Sequence, residues 1–501
     1  MANGIRFSAG EILRLAFVSR LLLLALILLF RLLLDPYDTS ASLNPPCQQV
    51  VGSTPRRSPI LWPRIAAAIE RSVVWDSVYF VRIAECGYEY EQTFAFLPLL
   101  PAAATLLARS VLVPLVPVIG YRAVLALSGY VINNVAFIFA AVYFYRLSDL
   151  ILKDSKAAFL ASVLFCFNPA SIFYSSIYSE SLYALFSLGG IYYVFSGSNT
   201  LAMLLLAMSG SARSNGALNA GYFMFLALVK VYEAFSQNRK IKAVKALVMG
   251  VLYSICLFIP YVVFQAYGYF KICKGGSLDE LRPWCIARIP HLYGFLQSHY
   301  WGVGFLRYFQ VKQLPNFLLA SPILTLAFCS IIKYARSLPQ VVQLLTTCHR
   351  ENYSPAFHWQ GNNPCSDVNS TSMSTVPSKN SKGDSSVRQR RKEKDDVDGA
   401  QKNLEHIYQG PLFQTNQGYY NIMVLPFILH LGFLTFTAFF IMHVQVATRF
   451  LSASPPIYWF TSYTMLSRDR NLRKWGYFIS IYFIAYILLG SLLFSNFYPF
   501  T

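Results

Sequence analysis

Apolar runs long enough to cross a bilayer recur along the chain, separated by polar stretches of differing character. A membrane-spanning helix needs about 20 predominantly apolar residues. The pattern predicts spans over 12–34, 122–145, 171–195, 214–233, 244–267, 317–335, 420–443 and 477–496. Weaker membrane segments lie at 97–118, 156–167, 200–209 and 451–467, several of them short or interrupted by proline. Pro98, Pro101, Pro114 and Pro117 leave backbone carbonyls that lipid cannot satisfy, so such segments belong inside a protein bundle or beside a wet cavity. The same holds for SASPPIYWF at 452–460. The run EILRLAFVSRLLLLALILLFRLLLD, 11–35, lacks an obvious small-residue cleavage site after it and reads as a signal anchor.

Residues 36–96 form the first large polar loop, and 268–316, rich in Tyr, Trp and His, the second. The third, 336–418, contains VNSTSMSTVPSKNSKGDSSVRQRRKEKDD, which has the composition of a disordered segment. Its basic run, with Lys333 and Arg336, places it in the cytosol. By alternation 268–316 is lumenal, and so is the Gln445–Arg449 region. Two glycosylation sequons, at Asn352 and Asn369, conflict with this topology; the charge bias outweighs them. The basic patch SRDRNLRK, 467–474, is cytosolic only if 451–467 crosses the membrane, which puts the C-terminus in the lumen.

Composition agrees. Hydrophobic residues make up 55% of the 501 and charged residues 13%, against about 25% charged in soluble domains. The expected fold is all-α and polytopic, a single integrated transmembrane domain over 1–501 with short interfacial helices in its lumenal loops. Lys and Arg exceed Asp and Glu by 42 − 23 = 19. With no recognition module present, this excess belongs to membrane flanks and not to nucleic acid. The nine cysteines form no CxxC pair and show no metal-ligand spacing. Cys166, Cys256 and Cys329 read as small core residues, whereas Cys273 and Cys285 share a polar loop that permits a disulfide. His291 and His299 have no metal-like spacing, and no metal site is expected.

Candidate chemistry starts at WDSVYFVRIAECGYEYEQTFAFLPLLP, 75–101. Trp75 to Cys86 suits a short amphipathic helix at the membrane surface, ended by Gly87. Asp76 would then sit at the rim between water and lipid, where a carboxylate can take a proton from an acceptor hydroxyl, and partial burial would make it a better base. The bland alternative is that Asp76 caps the helix or pairs with Arg82. Glu85, Glu89 and Glu91 read first as solvated loop carboxylates. In FNPASIFYSSIYSESLYALFSLGG, 167–190, Asn168-Pro169 breaks the membrane and Glu180 stands at a span edge. An ionisable residue there needs a partner or a cavity, unless a short interfacial helix leaves it in water. Arg213 and Asn215 lie in SARSNG, 211–216, where the arginine can pair with Glu180, hold a phosphate or simply flank a turn. Lys312 and Arg449 are cations at lumenal span ends, where inside-positive bias does not explain them but snorkelling would.

These stretches, with NPASIFYSSIYSESLYA, ARSNG, KQLPNFLLASP and TRFLSASPPIYW in order along nearly the whole chain, resemble the PIG-V family of mannosyltransferases. The resemblance implies a GT-C-type bundle with its active site facing the lumen of the endoplasmic reticulum. It implies dolichyl-phosphate-mannose as donor and the one-mannose glycosylphosphatidylinositol (GPI) precursor as acceptor, joined through an α-1,6 bond. Asp76 as base with Trp75 beside it, supported by Glu85, matches the family's essential acid in the first lumenal loop. No DxD occurs in that loop, a departure from other GT-C enzymes. Asn168, Glu180, Arg213, Asn215, Lys312 and Arg449 are the expected substrate contacts. No cofactor or metal is implied. Membrane lipids surround the chain, and a need for an accessory membrane subunit is left open. Another dolichol-dependent GT-C enzyme would differ in acceptor. A transporter or scramblase would show internal repeats, of which none is clear. A noncatalytic subunit would tolerate loss of Asp76.

Overall fold

The computed structural model describes residues 8–35, 60–274, 282–351 and 418–498, with Tyr37, Cys47 and Phe500. The basic insert at 366–400, both sequons and most of 36–59 lie outside the described residues. Every regular element among those described is helical: α1 Ala9–Leu33, α2 Pro63–Arg71, α3 Ser77–Cys86, α4 Leu99–Arg109, α5 Val116–Ile119, α6 Tyr121–Leu152, α7 Ser155–Cys166, α8 Ser171–Ser175, α9 Glu180–Phe195, α10 Asn199–Ala212, α11 Ala220–Ser236, α12 Lys240–Cys273, α13 Pro283–Ile286, α14 Leu292–His299, α15 Leu314–Glu351, α16 Leu425–Phe440, α17 Ala447–Leu451, α18 Pro455–Leu466 and α19 Arg470–Leu493, with short 3-10 turns between some of them.

Seven helical segments among the described residues are long and apolar enough to cross a membrane: Ala9–Leu33, Tyr121–Leu152, Ser214–Ser236, Lys240–Cys273, Val311–Pro339, Ile422–Phe440 and Arg470–Asn496. The protein is a multi-pass membrane protein. An eighth apolar segment, Leu99–Arg109 with Val113–Ile119, is bent by 74° at its break. Pro114 and Pro117 fall in that second arm, where missing N–H groups prevent one straight helix.

The expected span 171–195 is corrected. It is broken into α8 and α9, with Ser176 in an extended conformation between them. Polar groups stabilise the break: Asn133 Nδ2 donates to the Ser176 carbonyl, and Asn134 Nδ2 donates to that of Ser175 at 3.2 Å. Helices α7, α9, α10 and α18 have 12, 16, 14 and 12 residues, each shorter than the about 20 residues of a full span.

The long helix α6 runs through the core, where Phe137, Phe144, Ala140 and Leu147 are fully buried against α1 and α7. Arg20, near the middle of α1, is 3% exposed. Its guanidinium donates to the Cys166 carbonyl at 2.9 Å, the Ser171 carbonyl at 3.2 Å and Ser175 Oγ at 3.1 Å, and stacks 3.8 Å from the Phe137 ring centroid. Arg20 thereby ties α1 to the α7–α8 break. Arg20→Leu leaves those acceptors buried and unpaired, at a cost of roughly 1–3 kcal/mol for each group not rescued by water. A thermal-shift measurement in detergent is expected to show a melting point several degrees lower. An unchanged melting point would contradict the anchoring role.

The two polar loops pack on each other. Ile83, Tyr88 and Phe94 of the first, with Leu97 just after it, bury against Phe264 in the C-terminal half of α12 and Trp284, Leu292 and Leu296 of the second. Disulfides join Cys47 to Cys86 and Cys273 to Cys285.

Candidate active site

Helix α3 starts two residues later than the sequence pattern predicts. Gly87, at φ +74°, ends it as expected. At the other end Trp75 lies outside the helix, with φ at +54°. A bulky residue in the left-handed region is a genuine outlier, and its strain of order 1–3 kcal/mol persists only where surrounding contacts impose it. Trp75 is exposed, and its ring packs 5.9 Å from that of Phe497. Asp76 follows at the helix start, but its carboxylate makes no capping bond.

That carboxylate instead begins a chain of alternating charges, each drawn from a helix end. Arg449 Nη1, in α17, donates to Asp76 Oδ2 at 2.9 Å, and Arg449 Nε lies 3.9 Å from Glu180 Oε1, at the start of α9. Arg213, just beyond α10, donates through Nη1 to the same Glu180 oxygen. Side-chain exposure is 34% for Asp76, 21% for Arg449 and 3% for Glu180. Asp76 is therefore the carboxylate of this group most open to a substrate. Its Oδ1 takes no hydrogen bond from the described residues. Glu180 Oε2 is buried without a protein partner among them.

Burial works against the charge on Arg449, but Asp76 and then Glu180 outweigh it and raise the guanidinium pKa further above its ordinary value. Arg449 is also held by the faces of Phe173 and Tyr178, 5.5 and 5.4 Å from their ring centroids. The turn carrying Arg213 is fixed by close backbone packing: a Cβ on Gly216 would overlap Ser209 and Gly210. The second polar loop reaches the group through Tyr293, whose hydroxyl accepts from Ser214 Oγ at 2.8 Å. Burial raises the Tyr293 pKa, with Ser214, Arg213 and Arg449 opposing.

The glutamates of the opening stretch do other work. Glu85 pairs with Arg122 at 2.9 Å and Glu89 with Arg82 at 2.7 Å. Glu91 accepts from Trp284 Nε1 and from the Tyr300 hydroxyl, both at 2.8 Å, and so joins the two loops. Beside them an open groove of ≈ 470 Å³ is lined chiefly by Ile83, Tyr88, Pro98, Pro101, Thr105 and Leu106. Cys47, Cys86 and Glu89 are the one group compact enough to hold a metal among the described residues, and its two sulfurs are bonded to each other.

The family described as Mannosyltransferase (PIG-V) matches residues 9–501. The chain belongs to that family. Its curated relatives include the human protein named GPI alpha-1,6-mannosyltransferase 2, 27% identical over 99% of each chain. The Drosophila pseudoobscura pseudoobscura protein named GPI mannosyltransferase 2 is 30% identical over 85% of this chain and 86% of its own. The Gibberella zeae protein of the same name is 34% identical over 58% of this chain and 66% of its own. No solved structure matches. As a member of the PIG-V family, the chain is a mannosyltransferase.

Of the residues singled out from sequence, the structure brings together Trp75, Asp76, Glu180, Arg213 and Arg449. It keeps Glu85 apart: nine residues along α3 at about 1.5 Å each place it some 13 Å from Asp76 along the axis. Asn168 is fully buried and spends both ends of its amide on the α7–α8 break, donating to the Phe165 carbonyl and accepting from the Ala170 N–H, both at 2.9 Å. Asn215 is buried in the turn after Arg213, and Lys312 is exposed ahead of α15. Glu180 is not left in water, and Arg82 is not the partner of Asp76. Sequence reasoning gave Tyr178 no role beyond a polar residue among apolar ones, and missed Tyr293, the Cys47–Cys86 bridge and Arg20. Only Arg20 carried a signal, as a cation in mid-span. Glu85→Gln is expected to change the mannose-transfer rate per folded molecule less than about threefold while weakening the α3–α6 pairing, whose side chains are only 16% and 19% exposed, so that removing one partner costs about 1–3 kcal/mol of stability. A transfer assay at matched protein levels checks this; a hundredfold loss would return Glu85 to the catalytic group.

Proposed function

We propose that the protein transfers mannose from dolichyl-phosphate-mannose to the one-mannose GPI precursor, forming an α-1,6 bond with inversion at the anomeric carbon. The observation that carries this reading is Asp76, a partly open carboxylate held by Arg449, in a chain of this family whose full-length human relative is named for that linkage.

Asp76 acts as the base. It takes the proton of the acceptor hydroxyl as that oxygen bonds to C1 of the mannose. The C1–O bond to phosphate breaks on the opposite face, and dolichyl phosphate leaves with the electron pair. The phosphate is already a leaving group, so the proposal includes no metal or other cofactor. Arg213 and Arg449 supply positive charge for the departing phosphate. Trp75 offers a sugar platform at the rim. Glu180, through its unpartnered Oε2, orients a sugar hydroxyl. The groove beside α3 and α4 takes the hydrocarbon of a lipid substrate, and Asn168 and Asn215 act by shaping the turns that hold Glu180 and Arg213. The active side faces the lumen of the endoplasmic reticulum; two disulfides in the loops on that side suit an oxidising compartment.

Expression in cells lacking the second GPI mannosylation step tests the reading. Restored surface GPI-anchored protein and disappearance of the one-mannose intermediate are expected. Persistence of that intermediate with the protein correctly inserted would sink the acceptor assignment.

A further inference from the structure

We propose that Tyr178 is the positioning residue of this site: its hydroxyl holds the Trp75–Asp76 turn in its left-handed form while its ring face holds Arg449, so that one side chain sets the base against its cation. The inference rests on Asp76 acting as base.

Three observations converge on Tyr178. The Asp76 backbone N–H donates to the Tyr178 hydroxyl at 3.0 Å. The Arg449 guanidinium lies 5.4 Å from the centre of the Tyr178 ring. The ring itself is 3% exposed and wedged among Phe80, Phe173 and Phe494, with centroids 6.4, 5.3 and 5.4 Å away. Tyr178 stands in the α8–α9 break, two residues before Glu180, so it moves with the second carboxylate of the charge chain.

The chemistry explains why tyrosine fits. An aromatic face attracts a guanidinium, and a hydroxyl oxygen accepts from a backbone N–H. Phenylalanine supplies only the first. Without the hydroxyl, the Asp76 N–H is left inside without its acceptor, and the strained backbone at Trp75 loses the contact that holds the residue after it. The peptide between Trp75 and Asp76 is then free to relax, and the carboxylate moves with it. Misplacement of a reacting group by about 1 Å costs on the order of a hundredfold in rate.

The test is steady-state mannose transfer by Tyr178→Phe, with Tyr174→Phe as a matched control. Tyr174 is equally buried, but its hydroxyl meets Ser452 Oγ at 2.9 Å, and not Asp76. Rates are taken per folded molecule, counted by monodisperse elution in detergent. For Tyr178→Phe, kcat is expected to fall about 10- to 100-fold with KM for both lipid substrates within about twofold of wild type. Tyr174→Phe is expected to keep kcat. Equal kcat losses in the two variants, or none in Tyr178→Phe, would overturn the inference. So would a raised KM with unchanged kcat, which would mean that the hydroxyl binds substrate. If Tyr178→Phe does not elute as folded protein, Trp75→Gly is added to it, since glycine accepts the left-handed turn without strain; recovery of folded protein supports the strain account, and failure to recover contradicts it. Asp76→Asn run in parallel separates the two levels: full transfer by that variant would end the base assignment itself, whereas its loss alongside an intact Tyr178→Phe would end this inference alone.

Discussion

Asp76→Asn is expected to lower mannose transfer by about 10²- to 10⁴-fold, the usual worth of a positioned general base. The substitution keeps the size of the side chain and leaves the backbone bond to Tyr178 in place. It removes the charge paired with Arg449. Because that pair is a third exposed on the aspartate side, its loss costs roughly 0–1 kcal/mol of stability. The fall is therefore expected in kcat, at normal protein level and with KM little changed. A loss of folded protein in proportion to the loss of rate would instead make Asp76 a structural partner of Arg449.

Arg449→Met is expected to do more damage. The guanidinium touches Asp76 on one side and Glu180 on the other. Without it, Glu180 remains 3% exposed with only Arg213 to neutralise it. Removing one partner of a buried ionic group costs about 3–5 kcal/mol, because the other charge stays behind. We expect little folded protein from Arg449→Met. Arg449→Lys keeps the charge but loses the planar fork that serves two carboxylates. That variant is expected to fold and to lose transfer by about 100-fold, as the base and Glu180 lose their fixed separation. Elution profiles and transfer rates of the two variants check both parts. A lysine variant of wild-type rate would show that positive charge alone suffices at this position.

The contrast between Arg213 and Arg449 shows how far the sequence reaches. Glu180 and Arg213 stand in adjacent helices, each at the edge of an apolar run, and their pairing is legible from the need to compensate a charge near lipid. Arg449 meets Asp76 across 373 positions. No periodicity connects two residues that far apart, so local reasoning offers Arg82, on the same helix, and tertiary packing overrides it. The glutamates follow the same logic. Read locally, Glu85, Glu89 and Glu91 are loop carboxylates beside a candidate base. Folded, they join α3 to α6, the start of the loop to its own helix, and the first polar loop to the second.

The fold was legible where apolar length decides it. The spans of α1, α6, α12 and α19 follow from runs that exceed bilayer thickness. The break between α8 and α9 was not legible as a break, because YSSIYSE contains neither glycine nor proline. It is imposed by asparagines of α6 that capture its carbonyls. The left-handed Trp75 was equally hidden, since nothing in its residue type favours that backbone.

The most direct measurement is mannose transfer in microsomes from cells lacking the activity, complemented with wild type or Asp76→Asn at matched protein levels. Labelled dolichyl-phosphate-mannose and the one-mannose GPI precursor are supplied. Transfer by wild type, with its loss by at least about a hundredfold in the folded Asp76→Asn protein, is the predicted result. Transfer by Asp76→Asn at the wild-type rate would contradict the account.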